Sequence, residues 1–496
     1  MKTASSFYDF RAAAEKGNLI PVHQELLADT ETPVSVYMRI KDQQFSYLLE
    51  SAEGGENWGR YSFIGFDPFI TATLNGNRME IQTDDDLQVM ENVRNPMETL
   101  RSISSRYRPS GTEALPRFHG GLVGFCDYEL ISRWEDLPQL PAPVKDRPQS
   151  VFTASRRLII FDHLKHEMKI VAFAHVDKNT NLEQAYKDAL TMVKETVDLL
   201  MAPLHRDILE PPFSVSDLQS NFEESDFKDA VERAKEFIAA GDVIQVVLSQ
   251  KFSADITGTD FTLYRHLRSI NPSPYMFYLN FGETRLVGAS PEVLVRLTGR
   301  HVELKPIAGT RARGKDPESD EALQKELLAD PKERAEHIML VDLGRNDVGR
   351  VSLPGTVTVP RLMEVERYSH VMHMVSKVEG QLKPGLDSFD LFMSAFPAGT
   401  VTGAPKIRAM EIIQVLEPEP RGPYAGAVGY FSFNGDMDFC ITIRTITIHH
   451  NRLSIQVGAG IVADSSPDGE YQETLKKAGA MFRTLEKADS DDPSDR

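Results

Sequence analysis

The sequence predicts a mixed fold, α/β or α+β, on three observations. Runs of β-branched and aromatic residues with period-two alternation recur along the chain, as in FITATL and MKIVAFA. Helical periodicity interrupts them, most clearly in FKDAVERAKEFIAAGD. And 496 residues at 41% hydrophobic content are enough for one large core or two ordinary ones.

Taken in order, a short amphipathic start precedes VSVYMRI and FSYLLES, which read as strands, and Gly54 to Gly65 is a turn-rich hinge returning into a strand. FITATL, RMEIQT, GLVGFCDYEL, SVFTASRRLIIFD and MKIVAFA continue the strands. Helices are predicted between Asn92 and Arg106 and between Leu182 and Met201. Pro203 to Glu224 is polar and proline-bearing, the best boundary. Beyond it a helix ends at Gly241, VIQVVLSQKFSA is a strand carrying Gln245, and TLYRHLRSI is a helix. Asn271-Pro272-Ser273-Pro274 is a turn before the strand YMFYLNF, and HVELKPIAGTRARG is a strand running into a loop. HVMHMVSKVEG holds His370 and His373, while Phe389 to Glu417 reads as helix, loop, helix, with the second start near Thr402 or Gly403. Gly426 to Gly460 reads as a three-stranded meander turned at Asn434-Gly435. Its middle strand puts Cys440, Thr442 and Arg444 on one face. The tail KADSDDPSDR reads as disordered, and no internal repeat stands out.

A net charge of −18 argues against nucleic acid or an anionic membrane as partner. Two cysteines, Cys126 and Cys440, offer neither a disulfide framework nor a thiolate metal site. The N-terminal MKTASSFYDFRAAAEKG lacks the apolar core of a signal peptide, and no run approaches the roughly 18 apolar residues of a membrane span. The expected location is the cytoplasm.

Chemistry concentrates between Gln456 and Ala478. A strand breaks at Gly458-Ala459-Gly460, and a helix restarts after Ser465-Ser466-Pro467-Asp468, with proline behind a serine cap. Glu470, Glu473 and Lys477 then share one helix face. A lone E-x-x-E ordinarily marks a solvated face. This one follows a glycine-rich strand end, where small residues leave room for a ligand. A second pair, Glu333 and Glu336, opens the helix that Asp330-Pro331 starts, and Glu336 is flanked by apolar sequence. If the two helices face each other, four carboxylates converge and demand a cation. Oxygen-only ligands point to Mg²⁺, and Glu333 beside a metal-binding Glu336 would suit proton transfer. Gly309-Thr310 with Arg311 and Arg313, the Gly399-Thr400 loop, Arg444 and Lys477 can all bind carboxylate. Together they suit a small molecule with two carboxylates.

Six ordered segments, KPIAGTRARG, DPKERAEHIMLVDLGRNDVGRV, FPAGTVTGAPKIRAMEII, GPYAGAVGYF, DFCITIRT and GAGIVADSSPDGEYQETLKKA, resemble the chorismate-utilising enzymes. Within them the resemblance is greatest to the anthranilate synthase component I family. It covers roughly residues 225–485, and LLESAEGGENWGRYSFIG extends it toward the N-terminus. The resemblance implies a large two-sheet sandwich with helices packed around it. Residues 1–202, bearing regulatory elements, would join that sandwich; 203–224 would connect, 225–486 would be the chorismate-binding catalytic region, and 487–496 a disordered tail.

Carried over residue by residue, the resemblance makes Glu336 and Glu473 Mg²⁺ ligands, with Glu470 nearby. Glu333 would be the general acid for the departing C4 hydroxyl, and His373 would serve the later pyruvate elimination. Gly309, Thr310, Thr400, Tyr424, Arg444, Gly458, Gly460 and Lys477 would hold chorismate. Relatives that add water to chorismate carry a lysine base where Gln245 stands, and aminodeoxychorismate synthases carry a lysine nucleophile where Ala308 stands. Neither amine is present here, which favours ammonia as nucleophile and anthranilate with pyruvate as products. No glutaminase elbow occurs in the sequence, so ammonia would come from a glutamine amidotransferase subunit. Glu50, Ser51, Pro274, Tyr275 and Met276 match the family's regulatory stretches, which implies feedback inhibition by tryptophan. Aminodeoxychorismate or aminodeoxyisochorismate synthesis is the alternative within the superfamily, and a metal-holding regulatory protein the alternative outside it.

Overall fold

The computed structural model describes residues 5–51, 59–84, 86–137, 147–203, 212–367 and 371–490. Its strands trace two antiparallel sheets that share two long members, Tyr61–Asn75 and Ser150–Asp162. These two pair along their length, with a register shift between Pro68 and Ile70, where Asp67 takes a positive φ of 54°. One sheet runs from the early part of Ser150–Asp162 through Gly121–Cys126, Ala427–Ser432, Met437–Ile441 and Val293–Thr298 to His301–Leu304 and Val371–Gln381. The other runs from Tyr61–Asn75 through Ser46–Glu50, Tyr275–Phe281, Thr284–Ser290, Thr445–His449 and Arg452–Ile461 to Gln245–Thr257.

The alternation seen in the sequence sets the layers. Phe125, Phe431 and Phe439 from the first sheet meet Phe277 and Leu286 from the second in one core. The helices Phe261–Ile270, Leu182–Met201 and Pro467–Asp489 bury Tyr264, Val193 and Leu485 in a second core with sheet residues such as Tyr278, Val287 and Ile446. In both sheets strands from the first 200 residues pair directly with strands from the C-terminal half, Gly121–Cys126 with Ala427–Ser432 and Ser46–Glu50 with Tyr275–Phe281. Both large cores mix the two regions, so the N-terminal region has no separate core. The stretch 203–224 contributes two short strands, Ser214–Val215 and Gln219–Ser220, both paired to Gln245–Thr257. Among the described residues, no helix is long and apolar enough to cross a membrane.

Four sequence expectations are corrected. VSVYMRI is not a strand: Pro33–Tyr37 is a helical turn, because Thr32 and Ser35 form a reciprocal capping box around Pro33 and outweigh β-branched propensity. The loop after HVELKP is a further strand, Ile307–Ala312, paired to Val371–Gln381. The meander has four strands, not three, since the middle run breaks between Ile441 and Thr445. Arg444 therefore sits at a left-handed kink with φ 50°, not on a strand face. The C-terminal helix continues to Asp489, two residues past the start of the expected tail, because Leu485 and Ala488 still pack on the core. Residues 491–496, the hinge residues 52–58 and His370 lie outside the described residues.

Candidate active site

The helix Pro331–Val351 begins as its sequence predicts. Asp330 accepts hydrogen bonds from the backbone of Lys332 and Glu333, at 2.9 and 3.2 Å, and Pro331 fills the first turn. Glu333 does not close a capping box. Its Oε1 lies 3.1 Å from Arg311 Nη1, and the same guanidinium also bonds Glu326 and Asp330. Glu336, one turn on, is half-buried and receives Gln245 Nε2 at 3.4 Å. The helix Pro467–Asp489 is capped by Ser466, as predicted. It presents buried Glu470, then Glu473 and Lys477, paired at 2.8 Å; Lys477 also donates to the Gly458 carbonyl at 3.0 Å.

The two carboxylate faces meet electrostatically. Burial raises the Glu336 proton affinity, the charges of Glu333 and Glu473 add to it, and Gln245 and Lys477 oppose it. Burial and the Glu473 charge raise Glu470 as well, against a hydrogen bond from Ser465 and the charges of Lys332 and Lys477. Carboxylates that resist ionisation through burial, and further through neighbouring acidic charge, form a donor set that a divalent cation would relieve. Their oxygens still stand apart. Among the described residues, three ligand-type atoms lie within 4.8 Å of one another only at His301, Glu303 and Glu379. That cluster is on the far part of the first sheet, and Lys377 Nζ already sits 2.6 Å from each of its carboxylates.

The opposite wall is built from strand ends. Gly309 has φ 62°, and a Cβ there would lie 3.0 Å from Glu333 Oε2, so only glycine lets the strand bulge past the carboxylate. Across the same strand pair, His373 Nδ1 lies 3.0 Å from Thr310 Oγ1 and 3.1 Å from the Gly309 carbonyl. A carbonyl only accepts, so Nδ1 carries the proton and Nε2 is the basic nitrogen. Burial and the Arg444 charge lower the proton affinity of the ring, partly offset by the Gly309 carbonyl and Glu366. Gly458 lies against Tyr424, whose hydroxyl would be 2.5 Å from a Cβ there, and Gly460 lies against Gln245 Nε2 in the same way at 2.3 Å. Arg311 and Arg313 leave the expected anion-binding set, because nearby acids engage them: Arg313 forks onto Asp320 at 2.8 and 3.0 Å. The helix expected to start near Thr402 begins at Lys406, behind Pro405; Gly399–Val401 is a single 3₁₀ turn.

Glu292 was missed by sequence reasoning. It lies at the turn between Thr284–Ser290 and Val293–Thr298, lining a small cavity with Thr400, Gly399 and Asp347. Burial pushes its carboxyl up to about 8, although the Thr400 hydroxyl, Arg444 and Lys477 pull the other way. The Thr400 hydroxyl is buried without a hydrogen bond of full geometry, so its hold on that carboxyl is weak. The available signal was a glutamate inside the apolar run SPEVLVRL.

The expected regulatory halves also come together. Ser46–Glu50 pairs with Tyr275–Phe281, and Met276 stands opposite Glu50. Glu50 is buried and accepts from Tyr264 Oη at 2.5 Å and from Arg268 Nε and Nη2 at 3.0 and 3.2 Å. The Tyr275 hydroxyl donates to Asp438 at 2.7 Å. Pro274 is half-buried, and Ser51 borders the segment outside the described residues.

The family model described as chorismate binding enzyme matches residues 45–483. A protein named anthranilate synthase component 1, from Acetivibrio thermocellus, is 46% identical over 494 residues, covering 97% of this chain and 98% of that one. The crystal structure of anthranilate synthase component I from Streptococcus pneumoniae TIGR4 aligns with a TM-score of 0.77 at 37% identity, covering 92% of this chain and 99% of that one. The menaquinone-specific isochorismate synthase of Escherichia coli aligns with a TM-score of 0.70 at 19% identity over 96% of this chain and 100% of that one, which is a likeness of fold alone.

Proposed function

The chain belongs to the chorismate-binding enzyme family, and from that premise we propose that it aminates chorismate at C2 with ammonia and eliminates pyruvate to give anthranilate. The observation that carries this reading is Gln245. Its Nε2 is given to Glu336, and its Oε1 is buried with no hydrogen-bond partner among the described residues. A neutral amide cannot take a proton from water, but this oxygen can accept an N–H of ammonia. Ala308 supplies no competing amine.

Glu336 and Glu473, with Glu470 beside them, would hold Mg²⁺, whose bound charge would balance the acidic wall and receive one carboxylate of the substrate. Thr310, Thr400, Tyr424, Arg444 and Lys477 would orient the rest of chorismate. Attack by ammonia at C2 shifts the ring double bonds and expels the C4 hydroxyl, which needs a proton to leave as water. Glu292 fits that need better than Glu333. It is protonated at neutral pH with a carboxyl pushed up to about 8, whereas one oxygen of Glu333 is spent on Arg311. In the second step a base removes the C2 hydrogen as the C3–O bond to pyruvate breaks. His373, neutral and basic at Nε2, suits that role.

Ammonia would be produced by a glutaminase subunit in the cytoplasm, and tryptophan would inhibit at the Glu50–Met276 strand pair. The purified chain with chorismate, Mg²⁺ and ammonium should yield fluorescent anthranilate. Glutamine should replace ammonium only after a glutaminase partner is added. Salicylate, isochorismate or an aminodeoxychorismate as main product would overturn the assignment, and glutamine turnover by the chain alone would overturn the two-subunit arrangement.

A further inference from the structure

Behind the substrate wall lies a guanidinium that the chemistry above does not use. Arg421 is 3% exposed, and its head group makes four hydrogen bonds. Nε and Nη2 fork onto Glu417 at 2.9 and 2.6 Å. Nη1 donates to the Val401 carbonyl at 2.7 Å and Nη2 to the Val247 carbonyl at 2.7 Å. Its flat face lies over the rings of Tyr128 and Tyr424, 4.8 and 5.6 Å from their centroids.

Each of these contacts ends one step from the cleft. Val401 follows Thr400 in the chain. Val247 is two residues from Gln245, on the same face of the same strand. Tyr424 is itself expected on the substrate, and its hydroxyl reaches Gly458. Glu417 carries the fork onward, accepting the Ser249 backbone at 2.8 Å and its hydroxyl at 2.9 Å, and Ser249 stands opposite Gly458 in the strand pair. The segments at Tyr128, Val247 and Val401 are thereby held by one planar group against the local stretch that carries Glu417 and Tyr424.

A buried ion pair generally adds little stability over an apolar pair of the same volume. What the planar guanidinium adds is geometry, since its donors point at fixed angles and cannot all be copied by an ammonium. We propose that Arg421 is a positioning residue that sets the spacing between Thr400, Tyr424 and the Gln245–Gly458 strand pair, and so fixes the chorismate subsite. The proposal rests on the reading that these residues hold chorismate.

The test is Arg421→Lys in the full chain, with Mg²⁺ and ammonium as nitrogen source. Lysine keeps the charge and can reach Glu417, but it cannot fork onto that carboxylate while also holding both carbonyls. The expected result is a parent-like near-ultraviolet circular dichroism spectrum with the chorismate KM raised about ten-fold to a hundred-fold, as small misplacements of substrate-holding groups produce. The chorismate KM should rise by more than kcat falls, a split that a general loss of stability, which lowers the amount of active enzyme and leaves KM unchanged, would not give. Glu417→Gln, isosteric and loosening the same fork, should move the chorismate KM the same way by less. A folded Arg421→Lys with the parent's chorismate KM overturns the proposal. Failure of both variants to fold also overturns it, by making the residue structural. A parent that makes no anthranilate sinks the functional reading itself, and this proposal with it, before any variant is compared.

Discussion

Glu292 in the cleft and Glu50 in the strand pair are buried almost equally, at 8% and 7% exposure, and their surroundings are opposite. Glu50 meets a guanidinium fork and a tyrosine hydroxyl. Glu292 meets a threonine hydroxyl without full geometry and two cations acting from beyond hydrogen-bond range, and its carboxyl is pushed up to about 8. From an ordinary value of 4.5, a shift to about 8 corresponds to about 5 kcal/mol against ionising in place. Burial alone therefore does not mark the reactive carboxyl. The partner does: a satisfied group is fixed, and a group left short of partners keeps a proton to give.

Removing the proton from the unsatisfied member should have the largest effect. Glu292→Gln keeps shape and loses the acid, so kcat should fall about a thousand-fold, within the range for general acid catalysis. Continuous anthranilate fluorescence reads this directly. Glu333→Gln should cost less, and the reverse order would return the acid role to Glu333. The protonated form is the active one. At saturating free ammonia, turnover should therefore be level just below the folded value of about 8 and decline as pH rises through it, and Glu292→Gln should lack that alkaline limb.

The facing helices come next in size. Glu336 is raised by burial and by its acidic neighbours, so Glu336→Gln should lower turnover about a hundred-fold at saturating chorismate and Mg²⁺, as losing one charge interaction at a reacting centre does. Chelation of the metal should abolish activity and leave far-ultraviolet circular dichroism unchanged. Near-parent turnover in Glu336→Gln would remove the residue from the metal site.

Local chemistry was legible in the sequence, and tertiary compensation was not. Asp330 and Ser466 cap the helices that their spacing predicted, and Asn434-Gly435 turns the hairpin, because caps and turns are decided within a few residues. The period-two runs named most strands for the same reason. Arg311 and Arg313 misled, since acids from neighbouring helices claim them, and no periodicity shows that. Arg444 misled in another way. Its run alternates like a strand, but the kink at φ 50° belongs to the handover between two sheets. Glu292 left only the faint signal of a glutamate in an apolar run, because its proton affinity comes from what surrounds it in space, and the Val401 and Val247 carbonyls that Arg421 holds carry no sequence signature.

The smallest change in basal turnover is expected at the satisfied member of the comparison. Tryptophan offers an ammonium, a carboxylate and an indole. Met276 and Pro274 can wall the indole, while Glu50, the natural partner of an ammonium, is already held by Arg268 and Tyr264. Binding would then add an ammonium beside that fork or displace part of it, and either event would tug on the Ser46–Glu50 and Tyr275–Phe281 strand pair of the second sheet. Glu50 bonds Tyr264 and Arg268, neither of which is assigned to chorismate, so inhibition would arise from tryptophan preferring one arrangement of that sheet over another. Ser51→Phe places a ring where the ligand would sit and leaves the Glu50–Arg268–Tyr264 contacts in place. Tryptophan should lose most of its inhibition in this variant, while uninhibited turnover stays within about two-fold of the parent, as for a substitution remote from the reacting groups. Dose–response curves of anthranilate formation against tryptophan decide it. Equal sensitivity in parent and variant would move the regulatory site away from this strand pair.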